Sequence, residues 1–263
     1  MKQIKIQCPA KINLTLKITG KRDDGFHNID SIMQTINLFD YLTISLTDSN
    51  EFKINLSGNS TEIPYNEKNL VYKAAKLFAE TINLSTSQID IYIEKNIPVA
   101  AGLAGGSTDA AGTLYGLNKL FAEPLSQNEL HSLCAKLGSD LNFCLEGGRQ
   151  RTLGRGEILE KLPFEEFEVS LIKPINLGIS AKEAYTKFSN KIKDDLRNTF
   201  ANDLEWAVID DYKELQVIKK LYPKSIMSGS GSTYFIVGSN FDNLKGYVTF
   251  NGLKAIETGV CEL

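Results

Sequence analysis

The small-residue segment at 98–112, PVAAGLAGGSTDAAG, has the composition of a loop that can bind a phosphate group. Its glycines let the backbone approach a ligand closely and turn N–H groups toward an anion. A helix is predicted directly after the loop, and the N–H groups and positive dipole end of its first turn would add to the attraction for phosphate. Ser107 and Thr108 can donate hydroxyl hydrogen bonds or reach a phosphate-bound Mg²⁺.

An ordinary small-residue loop packed against a sheet is the alternative interpretation of this segment. The segment is not a Walker loop, because the pattern GxxxxGK[ST] is missing, and GLAGGS does not satisfy the dinucleotide fingerprint GxGxxG. The run SGSGS at 228–232 also leaves two interpretations open. It can form a second glycine turn that closes over substrate phosphates, or a tight connection between two strands.

The overall composition limits the classes of function. The 263 residues are 42% hydrophobic and 23% charged, which supports a packed core, and the length favours two unequal lobes. A formal charge of −3 provides no global positive field, so we expect no binding to nucleic acid or to a membrane surface. No apolar run approaches the roughly 18 residues of a membrane span, and the first residues lack a signal-peptide core, so a cytoplasmic location is expected. The four cysteines and two histidines lack zinc-ligand spacing.

Hydrophobic periodicity predicts the elements that hold the glycine loop. Residues 2–18 alternate at period two around Pro9, which predicts two strand segments separated by a bend that exposes Lys11 near Asn13. The next predicted elements are a strand-rich stretch at 33–56, a helix at 68–80 and a strand at 89–98 that leads into the loop and its helix.

A further helix is predicted from its capping residues. Ser126 and Glu129 have capping-box spacing, and Gly138 closes the helix, which puts Asp140 just beyond its end. The pattern then restarts with a strand at 168–172, helices near 181–189 and 203–220, and a strand at 233–237. We place the boundary between the lobes near residue 155, which gives an N-terminal lobe at 1–155 and a C-terminal lobe at 156–263.

Four segments resemble one superfamily of small-molecule kinases. The pattern Pro-x-x-x-Gly-Leu-x-x-x-Ser-[Ser/Thr]-x-Ala at 98–110 resembles the phosphate loop of the galactokinase, homoserine kinase, mevalonate kinase and phosphomevalonate kinase superfamily. Three others are similar to its 4-diphosphocytidyl-2-C-methyl-D-erythritol kinase family: PAKINLTLKITGKRDDGFHNIDSIMQTINLFD at 9–40, LGSDLNFCLEGG at 137–148 and MSGSGSTYFIV at 227–237. The similarity runs nearly end to end, is most specific at PAKINL followed by DGFH, and weakens in the C-terminal half.

The resemblance implies a fold and a reaction. The fold is α+β in two lobes. The N-terminal lobe at 1–155 is like domain 2 of ribosomal protein S5 and binds ATP, and the C-terminal lobe at 156–263 is ferredoxin-like and binds the substrate. The implied reaction transfers the γ-phosphoryl group of ATP, with Mg²⁺, to the 2-hydroxyl of 4-diphosphocytidyl-2-C-methyl-D-erythritol in non-mevalonate isoprenoid biosynthesis. The implied partner is therefore a small molecule with a cytidine diphosphate group, and we expect a monomer or homodimer.

Two alternatives remain from the sequence. The first is a kinase of the same superfamily for another alcohol, such as homoserine or mevalonate, which the DGFH loop argues against. The second is a binding module without catalysis, since lobes like that of protein S5 also occur in nucleic-acid-associated proteins. The acidic charge balance and the presence of Lys11, Asp140 and Ser107 together disfavour the second alternative.

The resemblance also implies catalytic roles. In this family the aspartate after the second helix of the loop region is the general base, and that position falls on Asp140, with the lysine of PAKINL, Lys11, as its partner. A carboxylate can accept the hydroxyl proton while a nearby ammonium keeps it ionised and stabilises the developing charge. Without the resemblance, Asp140 would be interpreted as a solvated turn residue and Lys11 as an exposed strand-end lysine.

The DGFH loop at 24–27 lies where the family holds cytosine. The resemblance implies that Phe26 stacks on the base and that His27 reads its edge. Tyr185, in ISAKEAY, matches a second stacking ring on the opposite face of the base. Many relatives have tyrosine where this chain has Phe26, so any contact made by that hydroxyl is lost. Core packing is the ordinary alternative for the two rings, and a satisfied loop residue for His27.

The complete predicted site can now be stated. It comprises Asp140 and Lys11 as catalytic residues; Pro98, Val99, Ala100, Ala101, Gly102, Leu103, Ala104, Gly105, Gly106, Ser107 and Thr108 as ATP-binding residues; and Asn13, Phe26, His27 and Tyr185 as substrate-binding residues. Metal ligands are not predicted. At three loop positions alanine replaces a glycine common in the family, and we expect nucleotide binding to survive there if φ stays negative. The Asp109 carboxylate would repel phosphates unless it points away from them or binds the metal.

Overall fold

Two long strands, β1 (Lys2–Lys21) and β2 (His27–Thr47), form an antiparallel hairpin that carries the N-terminal part of the predicted site. The structure is a computed structural model that describes residues 2–191 and 194–263. The alternation predicted from the period of two is present toward both ends of β1, whereas residues 8–13 in its middle are all buried. The tip of the hairpin is the segment between the two strands.

The bend predicted at Pro9 is wrong. β1 is continuous, and the interruption is a register shift between Pro9 and Ala10, where the pairing with β2 slips as in a β-bulge. A bulge accommodates proline because the residue there need not donate a ladder hydrogen bond. The strand therefore stays inside the protein, and Lys11, which the bend would have exposed, is buried.

This hairpin is the centre of a seven-stranded sheet with the order β11–β1–β2–β4–β3, to which β5 and β6 add beside β2. The other strands are β3 (Lys53–Gly58), β4 (Gln88–Glu94), β5 (Arg149–Gly154), β6 (Ile158–Lys161) and β11 (Cys261–Glu262). Four helices pack on this sheet: α1 (Leu70–Thr81), α2 (Gly105–Leu120), α3 (Gln127–Leu137) and α4 (Leu141–Glu146). Their apolar sides and the isoleucines of β1, β2 and β4 form one buried cluster.

A second sheet has four strands in the order β10–β7–β9–β8. Its elements are β7 (Glu168–Pro174), β8 (Ile226–Met227), β9 (Tyr234–Val237), β10 (Tyr247–Lys254), α5 (Ala181–Asn190), α6 (Asp203–Val208) and α7 (Lys213–Leu221). The single helix predicted at 203–220 is wrong. A 3₁₀ turn at Ile209–Asp211 and the extended residue Tyr212 separate α6 from α7, and neither glycine nor proline marks this break.

The two-lobe α+β arrangement is confirmed by these two sheets, each with its own helices. A third apolar cluster joins them, in which Ile12 and Leu103 pack with Val169 and Phe235. The boundary near residue 155 stays a prediction. It falls in the turn between β5 and β6, which both belong to the first sheet, and β11 at the end of the chain returns to that sheet.

Local signals near the glycine loop are confirmed. The capping box at Ser126 and Glu129 is present, since the Ser126 side chain accepts from the Glu129 N–H and the Glu129 side chain accepts from the Ser126 N–H. Gly138 follows α3 as its cap. The short helix α4 directly after it was not predicted, and Asp140 is its N-cap. Within the described part of the chain, no helix is long and apolar enough to cross a membrane.

Candidate active site

A cavity of about 810 Å³ lies where the β1–β2 hairpin, the glycine loop, the start of α4 and helix α5 meet. Residues predicted for three different roles line it: Lys11, Asn13, Phe26, His27, Gly102, Ala104, Ser107, Asp140 and Tyr185. These residues are far apart in the sequence, and the fold brings them to one cavity. The cavity is large enough for a ligand of nucleotide-conjugate size.

Lys11 and Asp140 form an ion pair in this cavity, with 3.5 Å between Lys11 Nζ and Asp140 Oδ2. The ammonium also donates to Asn13 Oδ1 at 2.6 Å and to the Gly102 carbonyl at 3.1 Å. The Lys11 side chain is 4% exposed, whereas that of Asp140 is 30% exposed. The ammonium is therefore held in place by several oxygens, while the carboxylate remains open to a hydroxyl group bound in the cavity.

The position of Asp140 explains why its carboxylate remains available. An N-cap aspartate ordinarily accepts hydrogen bonds from the first N–H groups of its helix. Asp140 has helical dihedral angles, φ −86° and ψ −11°, and makes no side-chain cap hydrogen bond to α4. Its side chain turns to Lys11 and the cavity instead.

Asn13 holds Lys11 in place from the same strand. Its Oδ1 accepts from Lys11, its Nδ2 donates to Ser31 Oγ at 2.8 Å, and its backbone N–H donates to Ser228 Oγ at 3.3 Å. Asn13 is fully buried although it contributes to the cavity wall. Substrate binding by Asn13 stays a prediction, while the contacts that the structure shows are to the protein itself.

The carbonyl groups of the glycine loop are directed at other parts of the protein. The Ala101 carbonyl accepts from the Thr233 N–H, the Gly102 carbonyl from Lys11 and Ser228, and the Leu103 carbonyl from the Lys11 N–H. A phosphate cradle needs this orientation, because carbonyl oxygens would repel an anion. Helix α2 follows with Ala104 as its N-cap, which offers no side-chain acceptor to the first turn.

The condition of negative φ is not met at two of the three loop alanines. Ala100 has φ +49° and Ala104 has φ +60°, in the left-handed region that glycine adopts more readily. Each costs on the order of 1–2 kcal/mol relative to glycine, so the surrounding contacts hold the loop in this conformation. Gly102 is required for space as well, since a Cβ there would overlap the Ser228 carbonyl.

The other predicted ATP-binding residues differ in location. Gly106 has open space where a Cβ would lie, whereas a Cβ on Gly105 would come 2.7 Å from Lys95 Nζ. Thr108 is fully buried and its N–H donates to the Ala104 carbonyl, so it lies behind the loop and away from the cavity.

Ala101 and Leu103 are buried in the apolar cluster between the sheets. Pro98 and Val99 are partly exposed, and Ala100 is exposed. Their roles toward ATP stay predictions.

Beneath the loop, Lys95 pairs with two buried carboxylates, Asp40 and Asp109. The distance from Lys95 Nζ to Asp109 Oδ2 is 2.9 Å. Asp40 also accepts from the N–H groups of Asn96 and Ile97, at 2.6 and 2.8 Å, just before the loop begins. The two ends of the glycine loop are thereby joined, and Asp109 is directed at Lys95.

This environment changes the acidity of Asp109. Burial is the main cause that raises the pKa of its carboxyl to about 7, with the Lys95 ammonium opposing the rise and the Asp40 charge adding to it. Of the two possibilities that the sequence leaves open for this residue, the structure shows that its carboxylate points away from the cavity and into an ion pair.

At the hairpin tip, the aromatic residues have partners within the protein. The rings of His27 and Tyr185 are stacked with centroids 5.1 Å apart, and Ser189 Oγ lies 3.0 Å from His27 Nε2. The Phe26 ring is half exposed, with the Arg155 guanidinium 5.0 Å from its centroid. The roles of these rings toward a base stay predictions, and the stacking partner of Tyr185 in the structure is His27.

Several cavity residues were not predicted from the sequence. Those that are polar or basic include Lys21, Ser139, Arg155, Lys182 and Ser189. The glycines around Arg155 in LGRGE indicated a loop, but nothing in that segment indicated which way it faces. The 228–232 run connects β8 to β9, which agrees with one of its two interpretations, and Gly229 and Ser230 line the cavity. A role over substrate phosphates stays a prediction.

Comparisons with known proteins show the family of the chain. The model of the GHMP kinases N terminal domain matches residues 69–148, which include the glycine loop and Asp140. The 4-diphosphocytidyl-2-C-methyl-D-erythritol kinase of Prochlorococcus marinus strain MIT 9215 is 38% identical, over 99% of this chain and 95% of the relative. That of Clostridium beijerinckii is 39% identical, over 95% of this chain and 96% of the relative. The chain belongs to the 4-diphosphocytidyl-2-C-methyl-D-erythritol kinase family.

Solved structures support the same assignment. A crystal structure of 4-(cytidine 5'-diphospho)-2C-methyl-D-erythritol kinase aligns with a TM-score of 0.76 and 26% identity, over 96% of this chain and 99% of that one. Homoserine kinase from Cytophaga hutchinsonii aligns with a TM-score of 0.74 at 17% identity, over 100% of this chain and 98% of that one, which shows a shared fold alone. The family member described here thus has the fold of its superfamily.

The raised pKa of Asp109 predicts a pH-dependent stability. Its folded-state pKa of about 7 lies above the ordinary value of 3.8, so the folded protein keeps a proton that the unfolded chain releases. The stabilisation from this proton is complete below pH 4 and is lost as the pH rises through about 7. Asp109→Asn removes the titration, so wild type should lose stability relative to this variant over that range.

Urea unfolding of both proteins between about pH 4 and about pH 8 measures this difference. Asp48→Asn, at an exposed position, is the control and should follow the wild-type curve. If the free energy of unfolding changed with pH in the same way for wild type and Asp109→Asn, the prediction would be contradicted.

Proposed function

We propose that this protein uses ATP to phosphorylate the 2-hydroxyl of 4-diphosphocytidyl-2-C-methyl-D-erythritol, a step of non-mevalonate isoprenoid precursor biosynthesis. The observation that carries the proposal is the Lys11–Asp140 ion pair in a cavity that also holds the glycine loop and the hairpin tip. Membership of the family supports the substrate and the donor. The acceptor hydroxyl, the triphosphate and the cytosine each have a separate part of this one cavity.

Asp140 is the proposed general base. Its open carboxylate accepts the proton of the substrate hydroxyl as the oxygen attacks the γ-phosphorus of ATP. Lys11 cannot turn away, because Asn13 and Gly102 hold its ammonium on the far side. The lysine therefore keeps the carboxylate oriented and stabilises negative charge that develops on the attacking oxygen.

The glycine loop and the N-terminus of α2 are the proposed phosphate site. The loop carbonyls are engaged elsewhere in the protein, and the first-turn N–H groups of α2 have no side-chain cap from Ala104. A helix of 16 residues also directs the positive end of its dipole toward this place. ATP binding here relies on backbone groups, with Ser107 as the hydroxyl that lines the cavity.

Magnesium is proposed to accompany the nucleotide. Among the described residues, no group of three or more histidine, cysteine, aspartate or glutamate side chains could hold a metal ion. This fits Mg²⁺, which is commonly bound through substrate phosphates and water with few protein ligands. The Ser107 hydroxyl would serve on the protein side, and bound Mg²⁺ would neutralise charge on the transferred phosphate.

The hairpin tip is the proposed cytosine site. Phe26 offers an exposed ring, and Arg155 lies against it at the cavity wall. The stacked pair of His27 and Tyr185 gives a second aromatic surface, with its orientation held by Ser189. Rings supply stacking on any base, and hydrogen-bonding groups beside them supply the choice between bases. The cytoplasmic location, the monomer or homodimer, and the absence of nucleic-acid binding stay predictions.

The first prediction here concerns the proposed base. Asp140→Asn keeps the shape of the side chain and removes proton acceptance, so kcat should fall by about 10² to 10⁴ while ATP affinity stays near that of wild type. Lys11→Met should lower kcat too. Because both residues serve one proton transfer, the double variant should lose much less than the product of the two single losses.

Steady-state kinetics and nucleotide binding of the four proteins measure this cycle. A single variant that retains half of the wild-type kcat would remove that residue from the mechanism. Fully multiplicative losses would show that Lys11 and Asp140 act independently.

The second prediction concerns the cytosine base of the substrate. Replacing cytosine by uracil in the substrate turns the N4 donor into an acceptor and N3 into a donor, so kcat/KM should fall by at least roughly 10². Phe26→Ala should weaken the cytidine and uridine substrates alike, since a ring stacks on either base. His27→Phe keeps a ring against Tyr185 and removes both ring nitrogens. It should therefore reduce the difference in kcat/KM between the cytidine and uridine substrates.

The measurement is kcat/KM for both substrates with wild type and the two variants. Equal kcat/KM of wild type for the cytidine and uridine substrates would contradict the cytosine assignment and leave only a small-molecule kinase.

A further inference from the structure

The loop at 228–232 is held from behind by Asn202, a residue outside the cavity lining. The Asn202 side chain is fully buried, and its Nδ2 donates to the Met227 carbonyl at 2.7 Å and to the Gly229 carbonyl at 2.8 Å. Its Oδ1 accepts from the Leu204 N–H at 2.8 Å, as the N-cap of α6. Both amide hydrogens and the amide oxygen of Asn202 are therefore used.

The loop that Asn202 holds lies directly against the catalytic lysine. Gly229 has φ +54°, and a Cβ built on it would lie 3.2 Å from Lys11 Nζ and 3.4 Å from Asn13 Oδ1. Its neighbour Ser228 donates from Oγ to the Gly102 carbonyl at 2.9 Å and accepts from the Asn13 N–H. A shift of this loop would therefore move the groups that surround Lys11.

Asn202 is itself anchored to the strand that bears the lysine. The Leu16 N–H donates to the Ala201 carbonyl at 2.9 Å, and Leu16 pairs with Asn202 as an isolated bridge. One residue of α6 also holds the strand that precedes the loop, since Glu205 Oε2 accepts from the Met227 N–H at 3.1 Å. The start of α6 thus joins β1 to the loop, and it does so with buried, hydrogen-bonded side chains.

We propose that Asn202 is a positioning residue for phosphoryl transfer, which acts by holding Gly229 against Lys11 and thereby keeping the lysine beside Asp140. The inference rests on the proposed function in one respect, the catalytic role of Lys11 and Asp140. A misplacement of about 1 Å at a catalytic group can lower the rate by about 10²-fold. Asn202 can therefore affect kcat although it does not line the cavity. We expect a smaller effect on ATP binding, because the loop contacts the glycine loop at the Gly102 carbonyl, whereas the proposed phosphate contacts are N–H groups, mainly of the first turn of α2.

The test replaces Asn202 with aspartate. Asn202→Asp keeps the size and the acceptor for the Leu204 N–H, but puts a carboxylate oxygen in front of two carbonyls. Asn118→Asp is the matched control, because Asn118 is also buried, donates to the Leu125 carbonyl and accepts from the Leu125 N–H, both at 3.0 Å, outside the cavity. Both variants should lose stability. Only Asn202→Asp should lower kcat of the folded protein, by at least about tenfold, with a smaller change in KM for ATP.

A second cycle tests whether the effect passes through the lysine. In the Lys11→Met background, Asn202→Asp should add less than about threefold to the loss of kcat, because the group that it positions is gone. If the aspartate variant does not fold, Asn202→Ala replaces it in the same measurements. This variant leaves the loop carbonyls without the amide donor and introduces no charge. Equal kcat losses in both backgrounds, or a folded Asn202 variant with wild-type kcat, would overturn the positioning role.

Amide hydrogen exchange gives a readout that does not depend on turnover. Exchange at 227–232 should become at least about tenfold faster in the Asn202 variant and remain unchanged in the Asn118 variant. Unchanged exchange in this loop would overturn the inference even if the protein phosphorylates nothing. Absence of wild-type activity with the cytidylated substrate would instead overturn the proposed function.

Discussion

The buried ammonium of Lys11 is the constraint on which the arrangement of the cavity depends. A charge removed from water is tolerated only where oxygens surround it, and for Lys11 these belong to Asn13, Gly102 and Asp140. The three partners lie on β1, on the glycine loop and at the start of α4. Satisfying one lysine therefore brings a strand, a loop and a helix together, and it leaves the Asp140 carboxylate at the cavity surface.

A second buried charge cluster, beneath the glycine loop, follows the same requirement that a buried charge be paired. Asp109 would place a negative charge close to bound phosphates, but Lys95 and Asp40 take it into a buried cluster. The cluster also joins the segment before the loop to the helix after it. The proposed phosphate site is thus left to backbone N–H groups, and the side-chain charges next to it in sequence have a structural role.

The features that could be predicted from the sequence are those determined by residues close together in the chain. The capping box at Ser126, the period-two pattern of β1 and the strand–loop–helix order around the glycines are local, and the structure contains all of them. The burial of Lys11 is not local, because its partners are about 90 or more residues away in two of three cases. The φ values at Ala100 and Ala104 and the stacking of His27 on Tyr185 also result from tertiary contacts. The resemblance named the site residues, and only the fold shows which of them line the cavity and which hold others in place.

The central claim is that one cavity binds the cytidine group and activates a hydroxyl of the same molecule. The most direct test is ADP formation by the purified protein with 4-diphosphocytidyl-2-C-methyl-D-erythritol, beside its uncytidylated analogue with the same acceptor hydroxyl. The account predicts turnover of the first and a loss of at least roughly 10² in kcat/KM for the second, because binding of the remote base helps to place the reacting hydroxyl. Equal kcat/KM for both compounds, or no ADP formation with the cytidylated one, would contradict it.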